Sequence, residues 1–331
     1  MNKKNKKIFN ILLYGCGNIG SRHLQGIVKS KYNINIYVYD INAQALKLAK
    51  KDLKKIKLSN SIKSIKFIKK LDIYEDFFLI IIATSAKNRM AQLKEICNRF
   101  VFKYLIIEKI AFQNVNEFDK SILLLKNKKI ITWVNCPNRL YNSYIKLKKE
   151  IIKEKNISME VTGGKWGLLS NYIHYLDLFD FLINKDLNFE SIHTSLSKPF
   201  NSKRKGYKEM SGEISFYTKN NDFLLVKEDK DSFAPLSIII TTSKIKIIIF
   251  ENFNKAIIFR QKDKTKFMVE DFEIEFQSNL TKKLVDNLIQ KKQCNLTTLK
   301  LSYFMHKFIY KIIKKSFLFH GFKKYRKLPI T

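Results

Sequence analysis

Ile11-Leu12-Leu13-Tyr14-Gly15-Cys16-Gly17-Asn18-Ile19-Gly20 is the stretch on which the reading of this chain turns. A short apolar run, fit for a buried strand, meets three glycines, and a helical pattern opens at Ser21, Arg22 and His23. Strand, G-x-G-x-x-G and helix in that order form the setting in which a backbone cradles a pyrophosphate. Gly15 permits a sharp turn, Gly17 lets a phosphate reach the backbone, and Gly20 lets helix and strand pack closely. The amides that open the helix, around Asn18 and Ile19, carry the positive end of its dipole toward the phosphates.

Alone, such a fingerprint is weak, but a second half is present. Residues 34–39 alternate as a strand and end in Asp40. An acid about twenty residues past the glycine turn accepts hydrogen bonds from an adenosine ribose. It also repels a ribose phosphate, so NAD is expected over NADP. The bland alternative is an ordinary glycine turn with an exposed aspartate.

Further on, Phe78–Ala83 and Tyr104–Ile107 are continuous apolar runs, suited to strands covered on both faces, ending at Thr84-Ser85 and Glu108-Lys109. Helical segments are expected at 18–30, 42–51, 86–99, 115–126 and 140–152, with Asn42 a cap. Residues 53–70 are lysine-rich and carry no clear pattern. Alternating strands and helices imply a parallel sheet, whose ligands gather at the carboxyl ends of its strands. The glycine turn, Asp40, Thr84-Ser85 and Glu108-Lys109 all fall at such ends. A further strand is expected at 130–134. After a strand at 158–162, the pair Gly163-Gly164 and a helix near 169–182, strand-like runs dominate from 187 to 275, with helices returning at 278–291 and 297–317. The expected class is α/β: an N-terminal Rossmann domain (1–112), a C-terminal α/β domain with an open, mainly antiparallel sheet (113–295), and a basic helix and tail (296–331).

The chain has 331 residues, enough for two domains, and a formal net charge of +34. Such charge suggests nucleic acid or an anionic membrane. The lysines are scattered, however, and Ile, Asn, Lys, Phe and Tyr are abundant throughout, which fits a compositional bias; no nucleic-acid reading motif is found, and no such partner is expected. The four cysteines form no C-x-x-C pair and the histidines lack ligand spacing, so no metal is expected and a reduced, cytoplasmic setting is. Lys3, Lys4, Lys6 and Lys7 before an apolar run imitate a secretion signal, but the run is short, holds Asn10 and Tyr14, and serves as the first strand. No apolar run approaches the ~20 residues needed to span a bilayer.

The sequence resembles the glucose–fructose oxidoreductase and inositol dehydrogenase family (Gfo/Idh/MocA) over nearly its whole length. The residues that carry the likeness are Gly15 to Gly20 with Ser21-Arg22-His23, Ala83-Thr84-Ser85, Glu108-Lys109, and Gly163-Gly164 through His174 and Asp177. The resemblance implies hydride transfer between a nicotinamide cofactor and a sugar, cyclitol or nucleotide-sugar carbon, and a homo-oligomer formed through the open sheet. Trp166 to His174 is similar to members found with surface-polysaccharide genes. Two positions depart from the family pattern. Ile110 stands where proline is usual after Glu-Lys, so the turn there is expected to differ. Ser170 stands four residues before His174 where an aspartate is usual, which removes a carboxylate.

Oxidation of a secondary alcohol moves a hydride from carbon and a proton from oxygen, so the protein must hold the carbon and supply a proton acceptor. His174 is the candidate base, with Asp177 on the same helix face to orient it or meet substrate; the competing reading is a core histidine. Lys109 is the candidate that stabilises charge on the reacting oxygen. Thr84, Ser85 and Glu108 are read as cofactor contacts, though the first two could cap a helix. Arg139 could bind substrate or form a structural ion pair, and Asn171 and Tyr172 are weaker pocket candidates. An alternative is a protein that binds nucleotide but has lost hydride transfer and serves as a partner or sensor. From Leu299 to Lys327 basic residues interleave with apolar ones, a pattern read as a packed terminal helix, with weak membrane-surface contact as a second possibility.

Overall fold

The structure is a computed structural model and describes residues 7–263, 266–322 and 325–331. Lys3, Lys4, Lys6, Lys323 and Lys324 lie outside the described residues. The chain forms two compact units. One takes in the chain up to Pro137 and returns for Glu275–Tyr303; the other is Asn138–Ile274 with Phe304–Thr331.

The first unit opens with β1 (Phe9–Tyr14), α1 (Asn18–Ile27), β2 (Ile34–Tyr39), α2 (Ala43–Leu53), β3 (Ile62–Ile68) and β4 (Phe77–Ile82). It continues with α3 (Arg89–Arg99), β5 (Phe102–Glu108), α4 (Val115–Asn127) and β6 (Ile131–Asn135). The second unit holds α5 (Asn142–Ile151), β7 (Ser158–Gly164), α6 (Leu168–Ile183), β8 (Phe189–Leu196) and the two-residue strands β9 (Phe200–Asn201) and β10 (Lys208–Glu209). It goes on through β11 (Gly212–Thr218), β12 (Phe223–Asp229), β13 (Ser237–Thr241), β14 (Ile245–Phe250), β15 (Lys255–Arg260) and β16 (Phe267–Asp271). The chain then returns to the first unit with α7 (Gln277–Lys291) and β17 (Thr297–Thr298), and α8 (Leu299–Phe319) leads back into the second.

The first sheet has the order β3-β2-β1-β4-β5-β6-β17 and is parallel except for β17. Strand order reverses at β1, which makes the β1/β4 boundary the switch point where such sheets bind ligands. Register does the rest. Tyr14 pairs with Tyr39 and with Ile82, and Ile82 pairs with Ile107, so Gly15, Asp40, Ala83 and Glu108 leave the sheet along one edge. β1, β4 and β5 are apolar and almost wholly buried, as strands covered on both faces must be. The unassigned lysine-rich segment contains β3, where Ile62, Ile65 and Phe67 are half-buried and Lys63 and Lys66 face outward. It is an edge strand, where lysines discourage pairing with another chain. Asn42 caps α2 as expected, its side chain accepting from the amide of Gln44 at 2.9 Å.

The second sheet runs β16-β15-β14-β13-β7-β12-β11-β8, antiparallel at every junction but β7–β12. Its strands alternate: Ile245, Ile247 and Ile249 of β14 are buried while Lys246 is exposed. Helices cover the inner face, with Phe179 of α6 against Phe216, and Phe308 of α8 stacked on Phe189 at 3.7 Å between centroids. Among the described residues, no helix is long and apolar enough to cross a membrane.

Candidate functional site

In the first unit the glycine turn has the form its sequence demands. Gly15 adopts φ +94°, and a Cβ on Gly20 would stand 2.1 Å from the carbonyl oxygen of Gly15. A Cβ on Gly17 would meet nothing within 4 Å, so the surface there is open to a ligand. Gly17 is the N-cap of α1 and offers no side chain to cap the helix, whose first turn has no acidic residue. Exposed Asn18 and Ile19 follow. An uncapped helix start beside open space suits an anion.

Asp40 is locked to this turn. Its Oδ2 accepts from the amide of Cys16 and its Oδ1 from the amide of Asn42, each at 2.8 Å. Burial and the neighbouring Asp40 push the Cys16 thiol up to about 12, so it stays protonated. A carboxylate offers about four acceptor positions, which leaves room for ribose hydroxyls. The residues present therefore fit a dinucleotide at this edge.

The ends of β4 and β5 are tied together by Arg89, a residue the sequence reading passed over. Its buried guanidinium donates to the carbonyl oxygens of Thr84, Glu108, Ile110 and Ala111. These bonds hold the turn that carries half-buried Lys109. The Lys109–Ile110 peptide is cis. Thr84 donates its hydroxyl to Gln92 at 2.6 Å, and Ser85 is exposed.

Glu108 points into the unit. Its Oε1 lies 2.8 Å from His23 Nε2 and accepts from Asn135 Nδ2 at 2.5 Å, while His23 Nδ1 lies 2.8 Å from Thr281 Oγ1. Burial pushes the Glu108 carboxyl up, but the hydrogen bond and charge of His23, the Asn135 hydrogen bond and the Arg89 charge outweigh it and hold it below the usual carboxylate range. Asn135 Oδ1 is buried with no hydrogen-bond partner among the described residues.

In the second unit, α6 carries half-buried His174 one turn after Ser170. Two carboxylates receive the amides that open this helix. Glu228 accepts from Gly167 and Leu168 at 2.6 and 2.7 Å; Glu209 accepts from Leu169 at 2.9 Å, from Ser170 at 3.2 Å, and from the Ser170 hydroxyl. A carboxylate of β10, Glu209, thus stands beside Ser170 and is engaged by the start of the helix. Asn171 donates to the carbonyls of Trp166 and Gly167 at 2.9 and 3.2 Å, closing the same helix start. Arg139 forms the ion pair: its Nε and Nη2 donate to the two oxygens of fully buried Asp177 at 2.7 and 2.8 Å, and Nη2 also reaches Asp180 at 3.1 Å. The Tyr172 hydroxyl is buried without a hydrogen-bond partner among the described residues. No group of three or more His, Cys, Asp or Glu among the described residues is placed to hold a metal ion.

No protein-family model matches the sequence, and no curated protein does. Solved structures do. UDP-N-acetylglucosamine 3-dehydrogenase GnnA from Acidithiobacillus ferrooxidans superposes with a TM-score of 0.70 at 11% identity, covering 92% of this chain and 97% of that one. An oxidoreductase from Agrobacterium radiobacter, in complex with NAD+, L-tartaric acid and magnesium, gives 0.69 at 15% identity over 92% and 94%. The transcriptional regulator Gal80p from Kluyveromyces lactis gives 0.70 at 13% identity over 92% and 91%. At these identities the likeness is one of fold: a parallel N-terminal sheet followed by a mainly antiparallel second sheet, shared with structures that bear dehydrogenase, oxidoreductase and regulator names.

Proposed function

We propose that this chain is an NAD-dependent oxidoreductase that transfers a hydride to or from a CH–OH carbon of a sugar or nucleotide sugar, in the building of surface glycans. The observation that carries the reading is the first sheet's edge: an uncapped helix start at Gly17, open space over that glycine, and Asp40 fixed beside it. The α1 amides and Asp40 would hold the pyrophosphate and the ribose hydroxyls respectively, and Thr84 and Ser85 would be further cofactor contacts. When bound, the nicotinamide supplies the acceptor or donor of the hydride. Lys109, held by the Arg89 clamp, stabilises negative charge on a substrate oxygen. His174 takes or returns the hydroxyl proton. The sugar preference draws support from the named substrate of the GnnA structure and from the family resemblance of 163–177.

The test is direct. Calorimetry is expected to give tighter binding of NAD than of NADP. Single-turnover absorbance of bound NADH with a panel of oxidised sugars and nucleotide sugars is expected to show oxidation by at least one class. A second reading, a nucleotide-bound protein without turnover, draws support from Ser170 at the usual acid position and from a regulator sharing the fold. Tight NAD binding with no oxidation by any sugar would favour it.

A further inference from the structure

We propose that the outward face of α8 docks on an anionic lipid bilayer. Lys307, Lys311, Lys314 and Lys315 recur at three- and four-residue spacing, which places them on one side of a helix, and all four are exposed. The opposite side is already occupied: Phe308, Ile309, Ile312, Ile313 and Phe317 are buried, and Phe308 stacks on Phe189 of β8. The face is therefore held rigidly by the second unit. Compositional bias toward lysine explains scattered charge, but not the company these lysines keep. No aspartate or glutamate follows Asp286 in the sequence, although acids occur through the rest of the chain. The segment is basic both by gaining lysines and by containing no carboxylate side chain.

The occupant follows from what adjoins the charge. Leu318 is 55% and Phe319 84% exposed at the C-terminal end of the same helix. A polyanion such as duplex DNA gains from the lysines and little from these two side chains. A bilayer gains from both, because its headgroups carry the negative charge and its interface accepts apolar side chains at shallow depth. A lysine held near an anionic membrane contributes about fivefold in affinity, and the effect fades beyond a screening length of about 10 Å at ~0.1 M salt. Four lysines and two apolar side chains give reversible, salt-sensitive attachment rather than insertion.

The test is co-sedimentation of the full chain with vesicles of phosphatidylcholine and phosphatidylglycerol, and of phosphatidylcholine alone, at low and high salt. The wild-type protein is expected to bind only the anionic vesicles and to be released by salt. Lys307→Glu, Lys311→Glu, Lys314→Glu and Lys315→Glu together are expected to weaken binding by about a hundredfold or more. A control removes the same charge from exposed positions of α2 and its C-cap, as Lys47→Glu, Lys50→Glu, Lys51→Glu and Lys54→Glu, and is expected to stay within about threefold of wild type. Leu318→Ser with Phe319→Ser is expected to weaken binding several-fold. All the substituted sites are exposed, and circular dichroism with thermal melting verifies that each variant folds. Failure of the wild type to bind anionic vesicles at low salt overturns the proposal. So do equal losses in the two four-site variants, which would make net charge the cause. Unchanged binding of the Leu318/Phe319 variant also overturns it, because pure charge would fit a polyanion as well.

Discussion

Glu108 and Asp40 sit at the ends of neighbouring parts of one sheet, yet their surroundings give them different work. Glu108 is buried against His23, Asn135 and Arg89. Because its folded-state pKa is depressed, its ionised form stabilises the fold above the unfolded-state value of ~4.3, and that contribution is lost as pH falls through the lower folded-state value. Glu108→Gln is expected to cost roughly 2–4 kcal/mol near neutral pH. The difference from wild type should shrink steadily below about pH 4, as read by urea unfolding across pH. Asp40, by contrast, is half-buried and fixed by two main-chain amides. Asp40→Ala is expected to weaken NAD binding by roughly tenfold, the worth of a charged hydrogen bond, and to narrow the gap to NADP. Calorimetry with both nucleotides measures this, and unchanged affinities would remove Asp40 from the site.

At the scale of elements, α6 is held both at its start and in its middle. Its first amides end on Glu209 and Glu228, and its middle is held by Arg139 through Asp177. Asp177 is fully buried, so removing Arg139 takes a charged partner from a carboxylate that water does not reach. Arg139→Met is expected to destabilise the protein by about 3–5 kcal/mol, whereas Asp177→Asn with Arg139→Met together should recover part of the loss. Denaturant unfolding of the single and double variants decides this. Equal stability of Arg139→Met and wild type would release Arg139 from a structural role.

For the whole molecule, every residue assigned to the nucleotide lies in the first unit, while His174 lies in the second. His174→Ala is therefore expected to leave NAD affinity within about twofold of wild type while lowering turnover by roughly 10²–10⁴-fold, the usual worth of a general base. Lys109→Ala should also lower turnover strongly and spare NAD binding. Nucleotide titrations and steady-state rates on the sugar found active measure both, and full turnover in the two variants would end the catalytic assignment.

The glycine turn, the buried strands, Asp40, the cap at Asn42 and the reversal of character after residue 187 were readable because each is written in neighbouring residues: a period, a turn residue, a charge at a strand end. That the first sheet is parallel followed from them. β3 escaped because an edge strand is only half-covered, so its pattern is diluted by lysines. Arg89 looked like one more polar residue opening a helix; its burial depends on four carbonyls that β4 and β5 bring together. Ser170 seemed to mark a lost acid until β10 returned to place Glu209 beside it. His23 found Thr281 258 positions away, across a chain that leaves the first unit and comes back. Local chemistry sets the elements and their ends, because its forces act between adjacent residues. Which buried polar group meets which is settled when distant segments close on one another and each must find a partner out of water.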